Sequence, residues 1–125
     1  MKKKIKVLVV DDNPGFIRLN QNFLNTDEYE MISAANGVEG LKKAREELPD
    51  VILLDIIMPE MHGYEVCQEL KGDEKTKKIP VVIVTGTGLE EIAVNEPSIG
   101  ADGFIPKPYN FDQLDTIIKK VIKER

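Results

Sequence analysis

Three uninterrupted apolar runs constrain this chain more than any other feature: Val7-Leu8-Val9-Val10, Val51-Ile52-Leu53-Leu54 and Val81-Val82-Ile83-Val84. Each is short, rich in β-branched residues, and has no polar position to turn toward water. Strands of that composition need cover on both faces. An antiparallel sheet with one wet face does not give it, whereas a parallel sheet between helical layers does.

The intervening segments supply the layers. Asn13 followed by Pro14 reads as the cap and first residue of a helix, where proline's missing N–H is not needed. A second helix is expected over about Val38–Glu47, with Val38, Leu41, Ala44 and Leu48 on its core stripe. A third is expected over about Tyr64–Lys71. The last covers about Phe111–Lys123, with Phe111, Leu114, Ile118 and Val121 inward and Ile117 and Ile122 widening the stripe. The predicted strands are Ile5–Val10, Tyr29–Ala34, Val51–Asp55, Val81–Thr85 and Ala101–Ile105. Tyr29–Ala34 and Ala101–Ile105 are more polar, and the second runs into Pro106, which places both at sheet edges. Before Gly100, Glu90–Val94 favours a helix, but Pro97 would clash with the carbonyl of Ala93, so a short or kinked helix is expected there. Strict alternation of strand and helix gives an α/β, flavodoxin-like, doubly wound fold. Its five parallel strands run in the order 2-1-3-4-5 with helices on both faces.

A length of 125 residues suits one domain, residues 1–125. The net charge of −5 argues against general binding to nucleic acid. No apolar run approaches the roughly 20 residues that cross a bilayer. Met1-Lys2-Lys3-Lys4 passes straight into a strand, unlike a signal peptide. A single cysteine, Cys67, excludes an internal disulfide and suits a reducing compartment, so a cytoplasmic location is expected. Cys67 itself reads as a small buried residue. The basic residues at the two ends (Lys2, Lys3, Lys4 and Lys6; Lys119, Lys120, Lys123 and Arg125) read as a solvated face that complements the last helix dipole.

Ligands of open parallel sheets bind beyond the carboxyl ends of the strands. Here the first strand ends in Asp11-Asp12, the third in Asp55 and the fourth in Thr85-Gly86, while Lys107-Pro108 follows the fifth. Singly these are ordinary caps, turn residues and surface lysines. Jointly they bring three carboxylates, a hydroxyl and an ammonium to one rim, where the carboxylates would repel one another without a cation. Hard oxygen donors suit Mg2+. Rival chemistries fit less well. No Gly-x-x-x-x-Gly-Lys-Ser/Thr stretch exists, which excludes a P-loop. Thr85-Gly86-Thr87-Gly88 follows the fourth strand and leads into Leu89-Glu90-Glu91, which would repel a flavin phosphate. A haloacid-dehalogenase-type phosphatase needs a second aspartate two residues after its nucleophile, and Ile57 stands there. His62 and Cys67, five apart, share no helical face for a transition metal.

Four motifs carry a family resemblance: Val-Asp11-Asp12-Asn-Pro, Leu-Leu-Asp55-Ile-Ile-Met-Pro59-Glu-Met-His-Gly63, Val-Thr85-Gly86 and Gly103-Phe104-Ile-Pro-Lys107-Pro108. With them, nearly the whole chain resembles the receiver domain of two-component response regulators, with no output domain in this chain. The resemblance implies that Asp55 is the phosphoacceptor. Asp12 would bind Mg2+ directly and Asp11 mostly through water, and the Ile57 carbonyl would complete the protein ligands. Lys107 would pair with the phosphoryl group, and Thr85 would donate to it. The phosphoryl donor would be a sensor histidine kinase or phosphotransfer domain, and the recipient of the signal a downstream protein target, with no membrane partner. Such a module is no enzyme beyond its own phosphorylation and dephosphorylation. The resemblance also implies a cis Lys107–Pro108 peptide, a switch formed by Thr85 and Phe104, and lifetime tuning by Ile57 and Thr87. Phe104 has no hydroxyl to hold it in solvent, so an inward ring is expected even without phosphate. Ile57 cannot orient an attacking water, so slow dephosphorylation is expected. The alternative, a pseudo-receiver acting as a constitutive protein-interaction domain, is opposed by the presence of Asp11, Asp12, Asp55, Thr85 and Lys107 together. A metabolic enzyme on the same fold would have to turn over an external phosphoester.

Overall fold

The structure is a computed structural model, and it describes residues 3–55, 63–85 and 100–124. Its strands are β1 (Ile5–Val10), β2 (Tyr29–Ala34), β3 (Val51–Asp55), β4 (Val81–Thr85) and β5 (Gly103–Pro106). All neighbouring pairs are parallel, in the order β2-β1-β3-β4-β5. The helices among the described residues are α1 (Pro14–Leu24), α2 (Gly37–Glu47), α3 (Gly63–Gly72) and α4 (Phe111–Glu124). The expected order and the two edge strands are therefore present. The expected kinked helix around Pro97 falls outside the described residues.

Successive strand residues point to opposite faces, and this divides the core in two. Leu8, Val10, Ile52, Leu54, Val81 and Ile83 pack with Leu41 and Ala44 of α2 and with Val66, Cys67 and Leu70 of α3. Val7, Val9, Val51, Leu53, Val82 and Val84 pack on the other face with Leu24 of α1 and with Leu114, Ile118 and Val121 of α4. This two-sided burial is why the three central runs carry no polar residue.

Local signals set the helix ends. Asn13 Oδ1 accepts the N–H groups of Gly15 and Phe16 at 2.9 and 3.2 Å, capping α1. Asn36 Oδ1 caps α2 through Glu39 N at 2.9 Å. Asn110 and Gln113 form a reciprocal capping box on α4: Asn110 Oδ1 accepts from Gln113 N at 2.8 Å, and Gln113 Oε1 from Asn110 N at 2.9 Å.

The predicted stripe of α2 is corrected. Val38 and Leu48 are 63% and 57% exposed, and the buried positions are Gly37, Gly40, Leu41 and Ala44. The cause is close approach. A Cβ on Gly40 would lie 3.0 Å from both γ-methyls of Val10, so the glycine face, not Val38, meets the sheet. Leu48 has left the helix altogether, with φ +46°, and donates its N–H to Ala44 O at 3.1 Å.

Candidate functional site

The β1 and β3 strands stop at the same rim of the sheet and deliver Asp11 and Asp12 beside Asp55. One carboxylate oxygen from each of the three lies within 4.8 Å of the other two. Asp11 is 1% exposed and Asp55 9%, whereas Asp12 is open to solvent. Asp11 is held at both ends of the residue: its N–H donates to Ala34 O at 3.1 Å, and its Oδ1 accepts from Asn13 N at 2.9 Å. One residue therefore both lines the rim and fixes the start of α1.

Lys107 approaches from the connection between β5 and α4, after the edge strand has returned beside β4. Its Nζ lies 3.3 Å from Asp11 Oδ2 and 3.8 Å from Asp55 Oδ2. The Lys107–Pro108 peptide is cis, as expected. Thr85 is the last residue of β4, in register with Pro106, which places its backbone at the same rim. Ile57 and Thr87 lie outside the described residues.

Among the described residues the donor set is three hard, partly buried carboxylate oxygens with no thiolate or imidazole in the cluster, which fits a divalent metal such as Mg2+ better than a soft transition metal. Three carboxylates this close also repel one another, and Lys107 is paired with two of them, Asp11 and Asp55.

Three further side chains support the rim and were not singled out by sequence reasoning. The Lys107 ammonium stands 4.1 Å from the centroid of the Phe16 ring. Phe16 meets Tyr109 edge-on, with centroids 5.5 Å apart and planes at 83°. The Tyr109 hydroxyl donates to Asn20 Oδ1 at 2.6 Å, and Asn20 Nδ2 donates to Phe16 O at 2.9 Å. Burial is the main cause that holds the Tyr109 phenol above its usual range. The bond to Asn20 opposes that shift, and the nearby Asp11 and Asp55 charges add to it. The available signal was the four-residue spacing of Phe16 and Asn20, one face of α1, but nothing local tied that face to Tyr109.

Phe104, for which an inward ring was expected, is 40% exposed on the edge strand β5. Cys67 is fully buried, as expected, and burial pushes its thiol up to about 11, against the lowering influence of Lys71. No helix among the described residues is long and apolar enough to cross a membrane.

Comparison with known proteins places the same residues in context. The family model for the response regulator receiver domain matches residues 7–119. A probable transcriptional regulator, ycf27, of Pyropia yezoensis is 36% identical over 97% of this chain and 49% of its own length. The alkaline phosphatase synthesis transcriptional regulatory protein PhoP of Bacillus subtilis is 34% identical over 94% of this chain and 48% of its own. The chain thus spans about half the length of the curated relatives it matches. The chemotaxis protein CheY4 of Vibrio cholerae superposes with a TM-score of 0.87 at 31% identity, covering 95% of this chain and 99% of that one.

Proposed function

The chain belongs to the response regulator receiver domain family, and on that premise we propose that Asp55 accepts a phosphoryl group from a phosphohistidine donor in a Mg2+ site formed with Asp11 and Asp12. The observation that carries this reading is the convergence of three carboxylates within 4.8 Å with the Lys107 ammonium 3.8 Å from Asp55. Receiver domains are signalling modules rather than enzymes that turn over external substrates, so the product is a changed surface and not a released molecule.

The chemistry asks mainly for positioning and charge neutralisation. An oxygen of the Asp55 carboxylate attacks phosphorus in line. The bond from phosphorus to the donor imidazole breaks, its electron pair returns to the ring nitrogen, and an acyl phosphate forms on Asp55. A bound Mg2+ ion supplies positive charge to the phosphoryl oxygens. Lys107, already at the rim, shifts its pairing from the Asp11 and Asp55 carboxylates to a phosphoryl oxygen. The Thr85 hydroxyl donates to another, and Phe104 follows as the switch. The Ile57 carbonyl would complete the metal ligands. Ile57 and Thr87 set the lifetime, and an apolar Ile57 that cannot orient water gives slow self-dephosphorylation. The donor is a sensor histidine kinase or phosphotransfer domain, and the setting is the cytoplasm.

Acetyl phosphate with Mg2+ tests the reading directly. Intact-mass measurement is expected to show one added phosphoryl group on the wild-type chain and none on Asp55→Asn. Equal labelling of both, or of neither, overturns it. The pseudo-receiver alternative predicts no labelling together with unchanged partner binding in Asp55→Asn.

A further inference from the structure

We propose that Phe16 is a positioning residue for phosphoryl transfer: its ring face holds the Lys107 ammonium at the acceptor rim before a phosphoryl group arrives. This rests on the phosphoacceptor reading above.

The carboxylates by themselves attract Lys107 without fixing it. Separations of 3.3 and 3.8 Å exceed the roughly 2.7–2.9 Å of a tight charge-assisted hydrogen bond. The lysine stem is long, its side chain is 29% exposed, and an ammonium is strongly hydrated, so water competes for it. The Phe16 ring adds a third restraint of a different kind. At 4.1 Å the ammonium is well inside the roughly 6 Å at which the negative ring face attracts a cation.

The ring is itself held. Its edge-on partner Tyr109 is anchored by its hydroxyl on buried Asn20, and the Asn20 amide bonds back to the Phe16 carbonyl. These contacts link α1 to the β5–α4 connection that carries Lys107, so the ring is tied to the backbone from which the ammonium extends. A purely packing role for Phe16 explains the Tyr109 contact, but it leaves unexplained why a charge sits over an aromatic face instead of in water.

The test compares initial rates of labelling by acetyl phosphate with Mg2+ in a double-mutant cycle. Phe16→Leu keeps apolar bulk and removes the quadrupole, and is expected to slow labelling about two- to fivefold. Phe16→Tyr is expected to keep the wild-type rate. Because Phe16→Leu also loses packing, the Lys107→Met background decides the matter: there, Phe16→Leu is expected to have no further effect on the residual rate. A loss of equal size in both backgrounds overturns the positioning role and leaves the phosphoacceptor reading standing. A wild-type chain that takes up no phosphoryl group overturns both. Ring-current shifts give a readout that needs no phosphorylation. The Lys107 ε-methylene protons are expected upfield in wild type and Phe16→Tyr, and at ordinary positions in Phe16→Leu. Unshifted methylenes in wild type overturn the proposal.

Discussion

Lys107 Nζ stands 3.3 Å from Asp11 Oδ2, an ion pair that spans 96 positions of sequence. Asp11 is 1% exposed, so it has little water with which to replace the lysine. Lys107→Met would leave a buried carboxylate without its cation. It is expected to lower the stability of the metal-free chain by about 2 kcal/mol. Mg2+ should then raise the melting midpoint more in this variant than in wild type. Urea unfolding in chelator, and melting with and without Mg2+, check both statements.

A Mg2+ ion held by the folded rim and not by the unfolded chain would stabilise by linkage. At ten times its dissociation constant the gain is about 1.4 kcal/mol, roughly 5 °C for a domain of this size. Asp12→Asn removes an exposed member of the repelling trio. It is expected to raise the metal-free midpoint and to abolish most of the Mg2+ shift. A midpoint that ignores millimolar Mg2+ in wild type would count against the metal site.

Burial raises the Cys67 thiol to about 11 from an ordinary value near 9, so the folded chain holds this proton more tightly than the unfolded one. The associated stability is fully present below about pH 9 and is lost as pH rises toward 11. It amounts to about 3 kcal/mol. Tyr29 and Tyr109, phenols held above their usual range mainly by burial, add to the decline at still higher pH. Cys67→Ala is expected to be less stable at pH 7 but to show a flatter profile between pH 9 and 11. Denaturant midpoints across that range give the comparison.

Gly40 lets α2 lie against β1 directly before the Asp11 rim. Gly40→Ala would gain about 1 kcal/mol of helix propensity. It would also set a methyl 3.0 Å from both γ-methyls of Val10, an overpacking that costs about 1–3 kcal/mol. The clash is expected to win, with a net loss of about 1 kcal/mol in chemical denaturation. A stabilised variant would show that α2 slides outward freely.

Much of this architecture is legible in the residues. The continuous apolar runs required cover on both faces, and the polar character of Tyr29–Ala34 and the proline at 106, the last residue of β5, marked the edges. Asn13-Pro14 marked a helix start that the hydrogen bonds bear out. The α2 stripe misled because hydrophobicity scoring favours Val38, whereas contact distance to Val10 favours glycine. The approach of Asp11, Asp12, Asp55 and Lys107 followed from strand ends alone. The Phe16–Tyr109–Asn20 support did not, because it joins α1 to a segment some 90 residues later through contacts with no local pattern. Phe104 shows the reverse limit: chemistry names a residue type, but its exposure, 40%, depends on what lies beside an edge strand.

The β3 strand is paired on both sides and buried at all five residues, and Asp55 is its final one. A strand so placed parts from its neighbours only when much of the sheet opens. On the phosphoacceptor reading, Asp55 is therefore a fixed target, and a phosphoryl donor, small molecule or protein, has to come all the way to the rim.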